Sequence, residues 1–192
     1  EIINQAKKCG ADAIKIQTYT ADTITIDHDS EEFYLNSGIW KGKRLYELYK
    51  KAHTPWEWHS QLFSHAKEIG ITLFSSPFDE TAVDFLEELD CPAYKIASPE
   101  LIDLPLIEKV SRTGKPIIMS TGMANINEIS EAISTARECN CKDLIILHCT
   151  SAYPSTIQDA NLSTIKELSQ KFEVFTGLSD HTSDNKTSLI AS

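Results

Sequence analysis

The stretch YKIASPELIDLPLIEKVSRTGKPIIMSTG, from Tyr94 to Gly122, decides the fold. It opens on a short apolar run, Tyr94 to Ser98, and closes on another, Pro116 to Thr121. Between them, from about Leu104 to Arg112, apolar residues recur at helical spacing, with Asp103 as a cap before them and Gly114 as the stop. Strand, helix, strand is a β-α-β unit, so its two strands run parallel. Both runs are apolar nearly throughout, as strands are when both faces of a sheet are covered.

The same alternation continues outward. Toward the C-terminus, Asn125-x-x-Glu128 caps a helix reaching Glu138, followed by a strand from Leu144 to Thr150. A helix from about Asn161 to Lys171 and a strand from Val174 to Ser179 come next. Toward the N-terminus, a helix from Asp79 to Leu89 follows a strand from Thr72 to Ser76. Thr54-Pro55-Trp56-Glu57 reads as a helix start, with Thr54 as N-cap, Pro55 in the first turn and Glu57 completing a capping box; the helix runs to Gly70. Ala13 to Thr18 is a further strand, preceded by an amphipathic helix end that Gly10 closes. Residues 19–53 read as a long polar insertion with scattered aromatics (Tyr19, Phe33, Tyr34, Trp40, Tyr46, Tyr49), and loops of that length are usually functional.

Six strands separated by helices fit either a doubly wound sheet or a β/α barrel. The doubly wound sheet calls for a Gly-rich turn after its first strand, and no G-x-G-x-x-G is present. A barrel concentrates its chemistry at the C-terminal ends of many strands. Here those ends read Gln17-Thr18, Ser75-Ser76-Pro77, Ala97-Ser98-Pro99-Glu100, Ser120-Thr121-Gly122, His148-Cys149-Thr150-Ser151 and Ser179-Asp180-His181. Any one hydroxyl could simply cap the next helix. Six ends carrying them point to one polar mouth, and so to an α/β barrel. A complete (β/α)8 barrel takes about 250 residues. The 192 residues here supply about six of its strands, read as strands two to seven, with two strand edges left unpaired.

Two lysines stand inside apolar strands, Lys15 between Ile14 and Ile16, and Lys95 between Tyr94 and Ile96. A buried ammonium is costly unless it is paired or serves a ligand. Together with the hydroxyls, the pair suggests a bound anion such as phosphate; lysines guarding an edge strand are the plainer alternative. Side chains alternate along a strand, so Lys15 and Gln17 share a face, as do Lys95 and Ala97, with Ser98 at the rim. His181 follows the last strand as a candidate metal ligand, with Asp180 placed to orient its ring and His148 as a weaker second candidate. Glu100 and Asp180 are the carboxylates best placed for acid–base work, whereas Asp79 and Asp103 look like helix caps.

Composition narrows the partners. Eighteen Lys and Arg against 28 Asp and Glu give a net charge of -10, which argues against nucleic acid as the main partner. No apolar run reaches membrane-spanning length and no signal peptide is visible. Five cysteines, an odd number, favour free thiols and a cytoplasmic setting, and Cys139-Asn140-Cys141 lacks zinc-knuckle spacing.

Seven segments in order carry a family resemblance. They are Lys15-Ile16-Gln17-Thr18, Phe74 to Asp79, Tyr94 to Ser98, Gly114-Lys115-Pro116 through Ser120 to Ala124, His148 to Pro154, Asn161-Leu162, and Gly177 to Thr182. Together they resemble the sialic acid synthase family, which condenses phosphoenolpyruvate with an N-acyl amino sugar. Leu45 to Tyr49 and Thr54 to His59 resemble its pseudaminic acid branch, which uses a 2,4-diacetamido-2,4,6-trideoxy-hexose. The resemblance implies a TIM-barrel transferase with a divalent metal, manganese or magnesium. It implies that Lys15, Ser76, Lys95, Ser98, Ser120, Ser151 and Ser179 hold phosphoenolpyruvate, that His181 is a metal ligand, and that Gln17, Glu100 and Tyr153 face the acceptor sugar. Lys95, Glu100 and His181 would then be the catalytic set. Ser76 and Ser151 replace the Thr and Asn of the N-acetylneuraminate branch, and Ser98-Pro99-Glu100 replaces Ser-Gly-Glu. The family pattern further implies a strand with a catalytic Glu before Glu1, a Glu-Lys-His strand after Ser192, and a C-terminal antifreeze-like domain that reaches across a homodimer. The chain would thus be part of an enzyme and inactive alone.

The chemistry suits the residues. Phosphoenolpyruvate carries up to three negative charges, which two lysines and a ring of hydroxyls can cradle. The metal would polarise the sugar aldehyde, the enol carbon would attack it, water would add at the second carbon, and phosphate would leave with C–O cleavage. N-acetylneuraminate and legionaminic acid synthases are the near alternatives. A Schiff-base aldolase using Lys95 or Lys15, and a non-catalytic anionic-sugar-binding fragment, are the distant ones.

Overall fold

Apolar runs alternating with capped helices fold as expected, and the computed structural model describes residues 1–191. Two compact units divide the chain, Glu1–Cys91 and the part that begins at Pro92.

The N-terminal unit contains α1 (Ile2–Lys8), β1 (Ala13–Thr18), α2 (Ala21–Ile24), α3 (Leu45–Ala52), α4 (Trp56–Ile69), β2 (Thr72–Pro77) and α5 (Glu80–Glu88). β1 and β2 pair in parallel, with Lys15 beside Phe74 and Gln17 beside Ser76. These four therefore share one face. The opposite face carries Ile14, Ile16 and Leu73, which pack with Ile3 of α1 and with Leu62, Phe63 and Ala66 of α4. Leu73 is 3% exposed, so Leu73→Ala is expected to cost about 2–5 kcal/mol, read as a lowered denaturation midpoint.

Two expectations need correction here. The capping box at Thr54 does not form: Pro55 is itself the N-cap, in extended backbone, and α4 starts at Trp56. Trp58 N–H donates to Pro55 O (3.0 Å), so the first turn is closed from the backbone. At its other end Gly70 adopts the left-handed conformation (φ 72°), which a glycine accepts without strain. Residues 19–53 are also not one loop. They hold α2, a 3₁₀ turn at Glu31–Phe33, an antiparallel bridge between Tyr34 and Arg44, and α3. The α3 sequence LYELYKKA is made largely of strong helix formers. Glu47 lies in its first turn and Lys50 and Lys51 in its last, matching the helix dipole.

The second unit contains β3 (Tyr94–Ile96), α6 (Leu104–Ser111), β4 (Ile117–Ser120), α7 (Ile126–Glu138), β5 (Leu144–Cys149), α8 (Ser163–Phe172), β6 (Phe175–Ser179) and α9 (Lys186–Ala191). β3, β4, β5 and β6 pair in sequence order, all parallel. Register places Lys95 beside Ile118, Ser120 beside Leu147 and Cys149 beside Ser179. Tyr94, Ile96, Ile117, Met119 and Ile146 on one face are fully buried. The other face carries Lys95, Ser120, Cys149 and Ser179, so alternation delivers the polar residues together. Asp79 and Asp103 are caps, accepting from Ala82 N–H (3.0 Å) and Leu106 N–H (3.1 Å).

β3 is shorter than its apolar run suggests. Glu100 N–H bonds to Ala97 O (3.1 Å) and winds Pro99–Ile102 into a 3₁₀ turn before the ladder can continue. The box at α7 forms in full: Asn125 Oδ1 accepts from Asn127 and Glu128 N–H, and Glu128 Oε2 accepts from Asn125 N–H. Asn125→Ala should therefore lower stability by about 1 kcal/mol in chemical denaturation. Among the described residues no helix is long and apolar enough to cross a membrane. β1 pairs only with β2, and β6 only with β5, among those residues.

Candidate active site

The C-terminal ends of β3, β4, β5 and β6 bring most of the expected residues together. Lys95 leans along the sheet so that its Nζ donates to Ser120 Oγ at 2.7 Å. Ser120 is 1% exposed, so its lone pairs have no bulk water to turn to. One turn beyond β3, the buried Ser98 Oγ accepts from Gly122 N–H at 3.1 Å, tying the loop after β3 to the loop after β4. Ser151 and Ser179 are half-buried at the ends of β5 and β6.

Gly122 is required by space. A Cβ there would lie 2.3 Å from Ser151 Oγ and 2.9 Å from both Cys149 O and Cys149 Sγ. Its backbone conformation would suit other residues, but the loop after β5 fills the room a side chain needs.

Glu100 sits on the 3₁₀ turn after β3, half-buried, with its Oε2 buried and without a hydrogen-bond partner. Burial pushes its carboxyl above the ordinary value of 4.5; Asp103 adds to the rise, and the Lys95 charge opposes it. The sign for stability follows. Below the ordinary value the group is protonated in folded and unfolded chains alike. As pH rises through the raised folded value, the wild type loses stability, because the unfolded chain ionises more easily. Glu100→Gln is thus expected to melt progressively higher than wild type as pH rises from about 4 through the raised folded value. A gap that stays constant with pH would contradict the raised value.

His181 presents one free nitrogen. Its Nδ1 lies 3.0 Å from Thr150 O, and a carbonyl only accepts, so Nδ1 carries the hydrogen and Nε2 keeps its lone pair. Tyr153 lies against the ring at 4.2 Å between centroids, tilted by 36°, while its own side chain is largely exposed. Ser155 N–H donates to His181 O (2.9 Å), joining the loops after β5 and β6. Asp180 does not orient the imidazole as expected: its Oδ1 accepts from Thr182 N–H and Oγ1 and so braces its own turn. His148 is structural, with Nε2 2.8 Å from Ala160 O. Cys149, read as a core residue, is 5% exposed, yet its Sγ lies 3.7 Å from Ser151 Oγ and 3.8 Å from His181 Nδ1.

Of the expected metal site, the described residues offer His181 as one candidate donor. Among the described residues no three His, Cys, Asp or Glu side chains converge as a metal site. His181 Nε2 fits a single coordination position, and this chain's described residues do not complete the shell.

In the N-terminal unit, Lys15 is open to solvent, yet enough protein surrounds it for desolvation to lower its pKa. Gln17 is exposed, and its neighbour Ser76 is 1% exposed with no partner for its hydroxyl. A buried hydroxyl without a partner costs free energy unless a ligand supplies one. On the other face a buried chain links Thr18, Ser75 and His59. The sequence does not reveal it, because its members lie up to 57 positions apart.

The sequence profile of the NeuB family matches residues 2–192. The pseudaminic acid synthase of Helicobacter pylori is 47% identical over 191 residues, covering 100% of this chain and 56% of that protein. The pseudaminic acid synthase of Campylobacter jejuni strain 81-176 is 49% identical over 179 residues, covering 93% of this chain and 52% of its own. Among solved structures, the N-acetylneuraminic acid synthetase of Leptospira borgpetersenii overlays with a TM-score of 0.86 at 30% identity, across 98% of this chain and 61% of that one. The chain thus spans about half the length of the curated relatives it matches.

Proposed function

The chain belongs to the NeuB family, and from that premise we propose that it supplies central strands of an incomplete (β/α)8 barrel in a phosphoenolpyruvate-dependent synthase. The product is a nonulosonic acid, made by joining phosphoenolpyruvate to an N-acetylated amino sugar with release of phosphate. The observation that carries this is Lys95 Nζ held 2.7 Å from Ser120 Oγ, on strands β3 and β4 of the sheet whose strand ends also carry Ser98, Ser151 and Ser179. Charge and hydroxyls at parallel strand ends suit a compact, highly charged phosphate ester. The identity of 47% and 49% to two pseudaminic acid synthases supports a 2,4-diacetamido-2,4,6-trideoxy-hexose as acceptor.

Lys95 and the four serines bind and orient the phosphoenolpyruvate, which removes much of the entropic part of the barrier. The third carbon of the enol attacks the aldehyde carbon of the open-chain sugar. Glu100, whose burial favours the protonated form of its carboxyl, is our candidate to give a proton to the aldehyde oxygen as the C–C bond forms. Water then adds at the second carbon, and phosphate departs with cleavage of its C–O bond. Tyr153, exposed beside His181, is our candidate for stacking on the sugar. A bound divalent metal, manganese or magnesium, would take His181 Nε2 as one ligand and lend Lewis acidity to the aldehyde. Lys15 and Ser76 of the N-terminal unit are proposed as anion ligands, and Gln17 as a sugar-facing residue.

The test is phosphate release by the full-length protein from phosphoenolpyruvate and a panel of acceptor sugars with manganese. Release that depends on the diacetamido sugar is expected. A pyruvate adduct trapped on Lys95 or Lys15 by borohydride would replace this proposal with a Schiff-base aldolase.

A further inference from the structure

Thr18, Ser75 and His59 are each 0% exposed and form a continuous hydrogen-bonded chain between α4 and the C-terminal end of β1. Four contacts make it up. His59 Nδ1 faces Pro55 O (3.1 Å), and His59 Nε2 faces Thr18 Oγ1 (2.9 Å). Thr18 Oγ1 meets Ser75 Oγ (2.7 Å), and Ser75 Oγ meets Ile16 O (3.1 Å). Both ends are carbonyls, which only accept. Four hydrogen bonds therefore need four hydrogens from two hydroxyls and one imidazole. A neutral imidazole brings one and the two hydroxyls bring two, so one link is missing unless the ring is protonated.

Four neutral arrangements exist, one for each link left without a hydrogen, and two of them matter here. With hydrogen on Nε2 the chain donates toward Ile16 O, and Nδ1 meets Pro55 O lone pair to lone pair. With hydrogen on Nδ1 the ring donates to Pro55 O and Nε2 accepts from Thr18, while Ser75 donates to Ile16 O and the Thr18–Ser75 link is the one left without a hydrogen. The carbonyls of both Pro55 and Trp56 act on the ring, which favours hydrogen on Nδ1.

We propose that His59 is a positioning residue whose bare Nε2 anchors the Thr18 hydroxyl and so fixes the end of β1 where Gln17 is displayed. Gln17 is the residue before Thr18 and lies beside Ser76 on the opposite face. The part that concerns Gln17 rests on the proposed function; the hydrogen-bond chain does not. The surroundings suit a neutral ring. Glu57 on α4 is the charged residue whose field reaches it, while β1, β2 and α5 present Thr18, Ser75 and the Phe85 ring, the last at 5.4 Å. Burial lowers the His59 pKa below 6.5, so this group's share of stability is held above about that pH and lost as pH falls.

Nitrogen-15 NMR of the full-length protein labelled at histidine, with His59 assigned through His59→Gln, reads the tautomer directly. At pH about 8 the expected spectrum shows hydrogen on Nδ1 and a bare Nε2. Thr18→Val should shift the Nε2 signal as its donor disappears, and Thr18→Ser should restore it. In turnover, Thr18→Val should raise KM for the acceptor sugar about tenfold with a smaller change in kcat, again restored by Thr18→Ser. Hydrogen on Nε2, or an Nε2 signal blind to Thr18→Val, would overturn the chain as assigned. The expected spectrum with an unchanged acceptor KM would overturn the positioning role. Absence of synthase turnover in wild type would refute the proposed function instead, and the spectrum would still decide the chain.

Discussion

Lys95→Met is expected to lower kcat/KM for phosphoenolpyruvate by about a thousandfold while the protein still folds, a loss of about 4 kcal/mol of transition-state stabilisation. The size follows from where the charge sits. Lys95 Nζ is held at 2.7 Å by a serine that is itself 1% exposed, and beside so buried a partner a single positive charge acts more strongly than in open water. Methionine keeps the length and apolar stem of the side chain but brings no charge and no donor. The fold should tolerate it, because Lys95 is only half-buried and its neighbours Tyr94 and Ile96, both fully buried, carry the packing of β3. Lys95→Arg should recover little, since a planar fork cannot reproduce one compact ammonium aimed at Ser120. Steady-state kinetics with thermal melts of each variant check both halves. A Lys95→Met protein that folds and turns over normally would remove Lys95 from the reaction.

Gly122→Ala is expected to cost about 1–3 kcal/mol of stability and to lower activity with it. The added carbon would stand 2.3 Å from Ser151 Oγ and 2.9 Å from Cys149 O, distances at which something must move. Ser151 can rotate away, and the Cys149 carbonyl, at the end of β5, cannot. Movement of the Gly122 backbone would also stretch its 3.1 Å bond to Ser98 Oγ. One methyl group would thus disturb two of the serines proposed to bind phosphoenolpyruvate, Ser151 and Ser98. Adding Ser151→Gly should relieve the clash only in part, because the Cys149 contacts remain. Denaturation midpoints of the single and double variants, with kinetics of each, check this. A Gly122→Ala protein as stable as wild type would contradict the packing described for the loop.

Much of this site is legible in the order of the residues. The lysine between Tyr94 and Ile96, and the hydroxyls at the ends of β3 to β6, mark the polar face of the second unit, because strand periodicity decides which strand residues face together. The β-α-β alternation likewise implies the parallel order of β3 to β6. The departures are local and come from competition. Thr54 does not cap α4, since Pro55 takes that position, and Asp180 turns to its own loop, where Thr182 offers two donors at 2.9 Å. The insertion hides α3 because its aromatic and charged residues look polar in composition and helical only in spacing. Gly122 and the His59 chain are out of reach for another reason. Their partners are distant in sequence, and neither a missing Cβ nor a buried hydroxyl announces what it will touch.

Phosphoenolpyruvate labelled with oxygen-18 at the bridging oxygen gives the most direct measurement of the central claim. Turnover by the full-length protein with the diacetamido sugar is predicted to place that label in the released phosphate, because the C–O bond breaks after water adds at the second carbon. Label retained in the sugar acid, with unlabelled phosphate, would mean that the P–O bond breaks, and would contradict the account.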